Sequence, residues 1–191
     1  MSICIFSGTF NPIHNAHIDM AKFALEKYKF DKIIFIPAYM PPHKDISPEL
    51  ATHRLNMVKL AISEYPEFEL SDIEYKSDGK SYSILTVKKI MEQYSLKGKL
   101  NFIIGTDAFA KIESWYHSDE LKQLVHFIVF PRHDNNDRLV FVKLKDKGWD
   151  FEIAEKECMD VSSTGIRNMT ENNKLDKRVE EYIAKNGLYK S

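Results

Sequence analysis

Residues 8–17 read GTFNPIHNAH and follow directly on a short apolar run. This order predicts a buried strand, a tight turn and a helix, because Gly8 can take backbone angles that bring the chain close to a bound group and Pro12 fixes a turn. His14 and His17 are three residues apart and are expected on one face of the first helical turn. A helix N-terminus after a strand suits phosphate, because its unpaired N–H groups and its dipole favour an anion. The stretch therefore predicts an anion site that two histidines strengthen.

Two histidines at this spacing are compatible with more than one role. A histidine pair is common on exposed helix surfaces, where it has no chemical task, and it also occurs as half of a metal site. The spacing alone leaves these interpretations open beside a catalytic one. The choice depends on what else the chain places near the same helix.

Length and composition restrict the class of protein. The chain has 191 residues, 43% hydrophobic and 29% charged, which predicts one domain over residues 1–191 with a well-buried core. The formal net charge of −1 provides no overall attraction to nucleic acid or membranes, so an anion site must be built locally. Two cysteines do not make a disulfide framework, and no stretch reaches the roughly 20 apolar residues that span a bilayer. We therefore expect a cytoplasmic protein that binds neither nucleic acid nor membranes.

Apolar runs alternate with amphipathic stretches along most of the chain. Unbroken apolar runs are typical of parallel strands that are buried on both faces, and a spacing of three and four residues is typical of helices. The alternation predicts an α/β fold, a single Rossmann-like doubly wound parallel sheet flanked by helices, with a small helical part at the C-terminus. The predicted strands are residues 3–6, 32–36, 99–104, 125–130 and 151–154; the predicted helices are residues 14–29, 51–65, 83–94 and 179–188, with a further helix start at 161–167.

Some shorter segments give weaker signals. Residues 68–70 and 73–75 are predicted to be short strands. The polar run from Pro131 to Arg138 is predicted to be an exposed loop, and residues 139–144 alternate only weakly, so no element is predicted there. Arg54, in the first turn of the second helix, is expected to cap that helix or to pair locally.

The loop of residues 37–44 follows the second predicted strand and ends in a basic pair. Three prolines stiffen it, and it lies just beyond the carboxyl end of a strand, where ligands of open α/β sheets bind. A rigid loop of this kind can hold Lys44 over a phosphate. The alternative is a solvated turn, which we favour for His43 and leave open for Lys44.

Further polar and aromatic residues fall at the ends of predicted elements. Asp107 follows the strand of residues 99–104 and Gly105, a position from which a carboxylate can accept hydrogen bonds from ribose; it could equally be a helix N-cap. Ser83 opens a helix and offers N–H and hydroxyl donors. Trp115 and Tyr116 are either core residues or a surface that stacks on a heteroaromatic ring.

A second candidate anion site lies near the end of the chain. Ser162, Ser163 and Thr164 place three hydroxyl groups at a helix start, and Arg167 follows one turn later. An ordinary helix cap would need only one of these hydroxyls. The combination therefore predicts a second helix N-terminus that binds an anion.

These motifs together resemble the bacterial nicotinate mononucleotide adenylyltransferases of the nucleotidylyltransferase superfamily. The resemblance covers nearly the whole chain, and its two outer motifs are roughly 150 residues apart, a combination that chance composition rarely produces. One departure is Ala16, which stands where the family's H-x-G-H element has glycine; we expect the turn to survive with slightly less room for phosphates. The matching segments are GTFNPIHNAH at 8–17, PPHK at 41–44, SYS at 81–83, GTD at 105–107, WY at 115–116, VSSTGIR at 161–167 and the ending GLY at 187–189.

The resemblance implies that the protein joins ATP and nicotinate mononucleotide to give nicotinate adenine dinucleotide and pyrophosphate, a step of NAD biosynthesis, by direct in-line attack. It implies Mg²⁺ delivered with ATP and no metal-binding residues, and it leaves a homo-oligomer open. The implied catalytic residues are His14, His17, Lys44 and Arg167. The implied ATP-binding residues are Gly8, Thr9, Phe10, His14, His17, Gly105, Asp107, Ser162, Ser163, Thr164 and Arg167. The implied mononucleotide-binding residues are Lys44, Ser83, Asp107, Trp115 and Tyr116.

Three alternatives to this function are kept. Another nucleotidylyltransferase, acting on nicotinamide mononucleotide, pantetheine phosphate or glycerol phosphate, would share the first motif but not the loop of residues 41–44 together with the aromatic pair. A metal phosphohydrolase would use His14, His17, His133 and Asp134, but the sequence shows a phosphate-site glycine and helix caps instead of converging metal ligands. A catalytically silent nucleotide sensor is the third alternative.

Overall fold

The computed structural model describes residues 1–131, 138–156, 161–168 and 174–190. In this part of the chain, six parallel strands form one sheet in the order β3-β2-β1-β4-β5-β6. This is the doubly wound Rossmann order, so the predicted fold class is confirmed. The strands are β1 (Ile3–Gly8), β2 (Lys32–Pro37), β3 (Phe68–Leu70), β4 (Leu100–Gly105), β5 (Val125–Phe130) and β6 (Phe151–Ile153).

Helices cover both faces of the sheet. The described α-helices are α1 (Asn15–Tyr28), α2 (Leu50–Ile62), α3 (Ser83–Gln93), α4 (Thr106–Phe109), α5 (Ser118–Leu124), α6 (Arg138–Asp146), α7 (Ser163–Arg167) and α8 (Lys177–Asn186), and short 3₁₀ helices cover Ile73–Lys76 and Ile112–Ser114. Helices α1, α2 and α8 pack on one face, and α3, α5 and α6 pack on the other. The sheet is therefore the middle layer of three.

The strands are apolar throughout because each one is buried on both faces. In β1, Cys4 and Phe6 join the core under α1 and α2, whereas Ile3 and Ile5 join the core under α3. Alternating side chains of one strand thus contribute to two separate cores. This explains why an unbroken apolar run, without polar alternation, was a reliable sign of a strand here.

Strand β1 lies at the centre of the sheet. It pairs in parallel with β2, from Ile3 opposite Lys32 to Gly8 opposite Pro37, and on its other side with β4. The chain leaves β1 toward β2 and later returns on the opposite side through β4, so the strand order reverses between them. In open α/β sheets this reversal opens a crevice at the carboxyl ends of the strands, which is where ligands bind.

The structure corrects one predicted strand and adds helices that were not among the predicted ones, namely α4, α5 and α6. Residues 73–75 lie in a 3₁₀ helix, because the pairing of β3 ends at Leu70 and the Glu74 side chain turns into the protein. Residues 139–144, which gave no prediction, lie in α6, whose buried residue is Leu144. Residues 132–137, most of the predicted loop, are outside the described residues.

No helix in the described ranges combines the length and the apolar character that crossing a bilayer requires.

Candidate active site

The loops that follow β1, β2 and β4 lie at one edge of the sheet, because all these strands are parallel. The first two loops are directly connected, since Ala38 N–H donates to Gly8 O at 2.8 Å. Helix α7 reaches the same edge from the C-terminal part of the chain. This edge contains most of the residues that the sequence assigned to a site.

The two histidines of the first motif lie against each other. His14 is the N-cap of α1 and is 3% exposed, and its N–H donates to His17 Nδ1 at 3.2 Å. The two rings stack with centroids 3.7 Å apart. Because His17 Nδ1 accepts a hydrogen bond, a neutral His17 ring carries its proton on Nε2 and can donate from there. The predicted grouping is correct, although His14 precedes the helix instead of lying in its first turn.

The structure gives a reason for the absence of a side chain at Gly8 in addition to the predicted close approach to a bound group. Its backbone does not adopt a left-handed conformation, but a Cβ there would lie 3.0 Å from Cζ of Phe10. Phe10 has a φ of 47° and is 2% exposed, and its ring packs edge-on to His17 at 5.1 Å. The Phe10 side chain therefore supports the loop from below.

Helix α7 is bound to the loop between β1 and α1. Ser163 Oγ donates to Pro12 O at 3.0 Å, and Arg167 Nη1 donates to Asn11 O at 2.7 Å, across 151 and 156 positions of sequence. Ser162 is the N-cap, with its Oγ accepting from Gly165 N–H at 2.9 Å. Ser162 thus has the ordinary capping role, while Ser163 and Arg167 join the second candidate anion site to the first.

Arg167 and Thr164 are also connected to each other. Arg167 Nη2 donates to Thr164 Oγ1 at 3.1 Å, so the guanidinium binds its own helix as well as the loop. The sequence assigned Arg167 to the triphosphate alone. In the structure it also has a second task, which is to hold Asn11.

Tyr189 is a site residue to which sequence reasoning gave no role. Its hydroxyl donates to Asn11 Oδ1 at 2.5 Å, and burial raises the pKa of that hydroxyl. Residues 187–189 match the ending of the family's sequences, and no separate role was predicted for Tyr189. No local pattern indicates that a tyrosine near the C-terminus contacts the first loop, because the contact depends on how α8 packs.

Arg54 is the second residue that the sequence analysis misplaced. It was expected to cap a helix or to pair locally, but it is fully buried and donates to Thr9 O at 2.9 Å, to Tyr39 O at 3.0 Å and to Ala38 O. A signal was available: Arg54 lies at helical spacing between Ala51 and Val58, on the buried face of α2. An arginine on an apolar face must find acceptors inside the protein.

Lys44 and Asp107 are both exposed at the carboxyl edge. Lys44 N–H donates to Pro41 O at 3.4 Å, which closes a turn in the loop after β2. Gly105 is the N-cap of α4 and Asp107 lies in its first turn. The alternative interpretation of Asp107 as the N-cap is therefore wrong, and its carboxylate is placed just past the end of β4.

The predicted aromatic surface is assembled from two segments. Trp115 is half-buried, with its ring edge-on to Phe102 at 6.4 Å. Tyr116 is 49% exposed and its ring lies 4.4 Å from that of Tyr82. Because Tyr82 directly precedes Ser83, the first residue of α3, the structure brings the pair of residues 115–116 next to the start of α3.

A metal phosphohydrolase would need a cluster of metal-binding side chains. Within residues 1–131, 138–156, 161–168 and 174–190, no group of three or more His, Cys, Asp or Glu side chains could hold a metal ion. His133 and Asp134, which that alternative requires, lie outside these ranges.

Comparison with known proteins shows the family. The cytidylyltransferase-like family matches residues 5–169. The chain belongs to this family. A protein of Caldicellulosiruptor saccharolyticus named probable nicotinate-nucleotide adenylyltransferase is 37% identical, with 100% of both chains covered. A protein of the same name from Clostridium botulinum strain Kyoto is 36% identical over 97% of this chain and 98% of its own. The resemblance seen in the motifs is thereby confirmed.

Solved structures of the family have the same fold. The nicotinic acid mononucleotide adenylyltransferase of Plasmodium falciparum, complexed with NaAD, matches with a TM-score of 0.80 at 21% identity, covering 98% of this chain and 96% of that one. The same enzyme complexed with APC matches with a TM-score of 0.76 over the same shares. At this identity the likeness shows the fold alone.

The departure from the family signature at Ala16 is accommodated by packing. Ala16 is 3% exposed and packs in a small cluster with Val161 and Ile166. Val161 precedes α7, and Ile166 lies within it. Its methyl group is therefore part of the contact between α1 and α7. In this member of the family, the alanine helps to join the two motifs.

Proposed function

We propose that this protein transfers the adenylyl group of ATP to nicotinate mononucleotide, giving nicotinate adenine dinucleotide and pyrophosphate in NAD biosynthesis. The observation that carries the proposal is the contact of the two anion-binding motifs, in which Ser163 and Arg167 hold the loop that leads to His14 and His17. The names of full-length relatives at 36% and 37% identity support the same activity.

The reaction needs no covalent intermediate on the protein. A phosphate oxygen of the mononucleotide attacks the α-phosphorus of ATP in line, and the bond from that phosphorus to the bridging oxygen of pyrophosphate breaks. The protein must bring two anions together and stabilise charge on the transferring group and on the leaving pyrophosphate. Positively charged groups and N–H donors in fixed positions meet both requirements.

The triphosphate is assigned to the joined motifs. In this assignment His17 donates from Nε2, and the N-terminus of α1, with its positive dipole end, and the donors around Ser163 surround the phosphates. Arg167 binds Asn11 O through Nη1 and Thr164 Oγ1 through Nη2, and in this position its positive charge, with that of Lys44, offsets the charge of the phosphates. We assign the ribose hydroxyls to Asp107, at the end of β4.

Mg²⁺ belongs to the substrate in this proposal and arrives bound to ATP. The imidazole, guanidinium and ammonium groups of the two motifs suit phosphate oxygens, whereas Mg²⁺ prefers oxygen ligands. Metal analysis of chelator-washed protein is expected to find no tightly held Zn²⁺ or Fe, while activity requires added Mg²⁺. A stoichiometric metal would favour the phosphohydrolase instead.

The pyridine ring of the acceptor is assigned to Trp115, with Tyr116 and Ser83 beside it. A carboxylate accepts hydrogen bonds and cannot donate them, so backbone N–H and hydroxyl donors favour nicotinate over nicotinamide. Ser83 supplies both kinds of donor, because it is the first residue of α3.

A pyrophosphate-release assay with ATP and a panel of acceptors tests the activity. The panel contains nicotinate mononucleotide, nicotinamide mononucleotide and pantetheine phosphate. We expect the highest kcat/KM with nicotinate mononucleotide and little release without an acceptor. Turnover with pantetheine phosphate alone contradicts the proposal, and release from ATP without any acceptor indicates a hydrolase.

The role of Trp115 is tested in the same assay. Trp115→Ala should raise KM for the mononucleotide about fivefold or more, because stacking is worth about 1 kcal/mol beyond area burial. KM for ATP in the same variant is the internal control and should hardly change. The preference for acid over amide should largely persist, since main-chain donors remain. A defect confined to ATP contradicts this assignment.

A further inference from the structure

Two buried charged side chains hold the backbone of Tyr39 from opposite sides. Arg54 in α2 is fully buried, and its Nη2 donates to Tyr39 O at 3.0 Å. Glu74 is 6% exposed, and its Oε2 accepts from Tyr39 N–H at 3.2 Å. Both polar groups of one backbone residue are thus bound to charged groups away from water, where such bonds are stronger than at a surface.

The same arginine reaches the first loop of the site. Its Nη1 donates to Thr9 O at 2.9 Å and also to Ala38 O, and Ala38 N–H donates to Gly8 O at 2.8 Å. One guanidinium therefore connects the loop after β1 to the loop after β2. Its planar fork allows this, whereas a lysine ammonium is a single point of charge.

Glu74 connects the loop after β2 to the start of α3. Its Oε1 accepts from Thr86 Oγ1 at 2.7 Å. Close by, Met40 N–H donates to Ser81 Oγ at 3.0 Å, and Ser81 N–H donates back to Met40 O at 2.9 Å. The loop after β2 is thus bound to the first loop on one side and to the neighbourhood of Ser83 on the other.

Stability alone is a weak explanation for these two residues. Burying a charged side chain has a desolvation cost that hydrogen bonds only partly offset, and apolar replacements of buried charges are often as stable. Fixed geometry is a better explanation, because Pro41 and Pro42 restrict the backbone between Tyr39 and Lys44. An orientation that is set at Tyr39 is therefore carried along the chain to Lys44.

We propose that Arg54 and Glu74 are positioning residues that fix the loop after β2, and with it Lys44, relative to the phosphate-binding loop after β1. The inference rests on the proposed function, because it needs Lys44 to contact a substrate phosphate. Neither Arg54 nor Glu74 touches a substrate in this arrangement. Both act through the backbone that they hold.

A double-mutant cycle with Lys44 tests the proposal. Glutamine is close in size to glutamate, so Glu74→Gln is a conservative change. It should lower kcat/KM about tenfold when Lys44 is present and less than about twofold in the Lys44→Ala variant. The two factors differ because coupled residues show non-additive effects. Glu69→Gln is the matched control: Glu69 lies on β3 and binds Lys32 and Tyr94, not the loop, so its replacement should leave kcat/KM unchanged. Equal factors in both backgrounds overturn the proposal.

Hydrogen exchange of the ligand-free protein provides a test that does not depend on activity. Amides of residues 40–46 should exchange faster in Glu74→Gln and in Arg54→Lys than in the unmutated chain, and Glu69→Gln should not change them. Unchanged exchange in folded variants overturns the positioning roles. Absence of adenylyl transfer by the unmutated protein would instead overturn the proposed function, and exchange would still decide whether the two residues position the loop.

Discussion

His17 uses its two ring nitrogens differently. Nδ1 accepts from His14 N–H, which orients the ring and places the proton of a neutral ring on Nε2, the donor that the proposed function assigns to the phosphates. We expect His17→Ala to lower kcat by roughly 10² to 10³, the effect of losing one preorganised donor to developing charge. ATP affinity should change less, because the bond strengthens in the transition state. Steady-state kinetics with ATP and nicotinate mononucleotide measure both effects.

His126→Ala is the control for this substitution. His126 lies near the start of β5, at the opposite end of the sheet, where it binds Asp150 and Glu152. Its replacement should leave kcat unchanged. Near-normal turnover of His17→Ala, or a loss explained by unfolding in a thermal melt, would remove the catalytic assignment.

Alanine should have different effects on the free energy of unfolding at Gly8 and at Gly105. A methyl group at Gly8 meets the buried Phe10 ring at 3.0 Å, whereas at Gly105 nothing lies within 4 Å. Gly8→Ala should lower the free energy of unfolding by about 1–3 kcal/mol, as overpacking does. Gly105→Ala should change it by less than about 0.5 kcal/mol. Urea unfolding measures both, and equal losses would show that the Phe10 contact is unimportant.

Single residues were predictable from sequence where one local rule determined their place. His14 and His17 were grouped correctly because an N-cap residue and the residue three positions later lie next to each other at a helix start. At Gly8 the contact with Phe10 could not be predicted, since that side chain, two residues away, turns back against the glycine only in the folded loop. Arg54 was missed because its acceptors belong to loops that come together only in the folded sheet.

At the scale of elements, the N-terminus of α8 has a defined cap. Asp176 accepts a hydrogen bond from Arg178 N–H at 2.9 Å and also binds the Arg178 side chain. The hydrogen bond from that side chain is the main cause that lowers the pKa of Asp176, and partial burial of the carboxyl opposes the lowering. Asp176→Ala should cost about 1 kcal/mol of stability at pH 7, the usual value of an N-cap. Asp176→Asn should cost less, because asparagine also caps.

The pH dependence of this cap follows from the direction of the shift. A carboxyl whose pKa is lower in the folded state stabilises above its ordinary value of 3.8, and the stabilisation is lost as the pH falls through the lowered value. The difference between the unmutated protein and Asp176→Ala should therefore shrink in urea titrations below pH 3.8. Asp119→Ala, at a wholly exposed side chain, is the control. A difference that stays constant down to pH 2 would show that the charge of Asp176 is not involved.

Elements were predictable from sequence where burial was uniform along them. The strands of the sheet centre are apolar on both faces, so β1, β2, β4 and β5 were identified to within a residue or two. Residues 73–75 show why local alternation fails at the edge: Glu74 turns inward to bind Tyr39 and Thr86, which no periodicity of three residues can indicate. Helix α6 gave a weak pattern because Leu139 and Val142 are exposed.

At the scale of the whole molecule, the C-terminal part completes the first loop. The Tyr189 hydroxyl binds Asn11, which is 8% exposed, so its removal leaves a buried amide oxygen without its donor. Tyr189→Phe should cost about 1–2 kcal/mol of stability and lower kcat/KM roughly tenfold, because Asn11 also positions Arg167. Thermal melts and the pyrophosphate assay measure the two effects.

Tyr182→Phe separates the two effects of Tyr189→Phe. The Tyr182 hydroxyl binds His53 and Asn56 between α8 and α2, away from the first loop. Its loss should reduce stability by a similar amount of about 1–2 kcal/mol without changing kcat/KM. Equal losses of activity in the two variants would mean that Tyr189 acts only through general stability.

Because β1 lies at the centre of the sheet and precedes the other described strands in sequence, these strands cannot join the sheet from one edge to the other in chain order. During synthesis, β2 and β3 can pair with one edge of β1 while the backbone groups of its other edge stay unpaired until β4 is available. Ile3 and Ile5, on the face that α3 later covers, are unburied at the same stage. An unpaired strand edge beside apolar side chains can pair with other chains. Chaperones that bind nascent chains should therefore associate most strongly before β4 leaves the exit tunnel, and the first loop is complete only when Tyr189 has emerged.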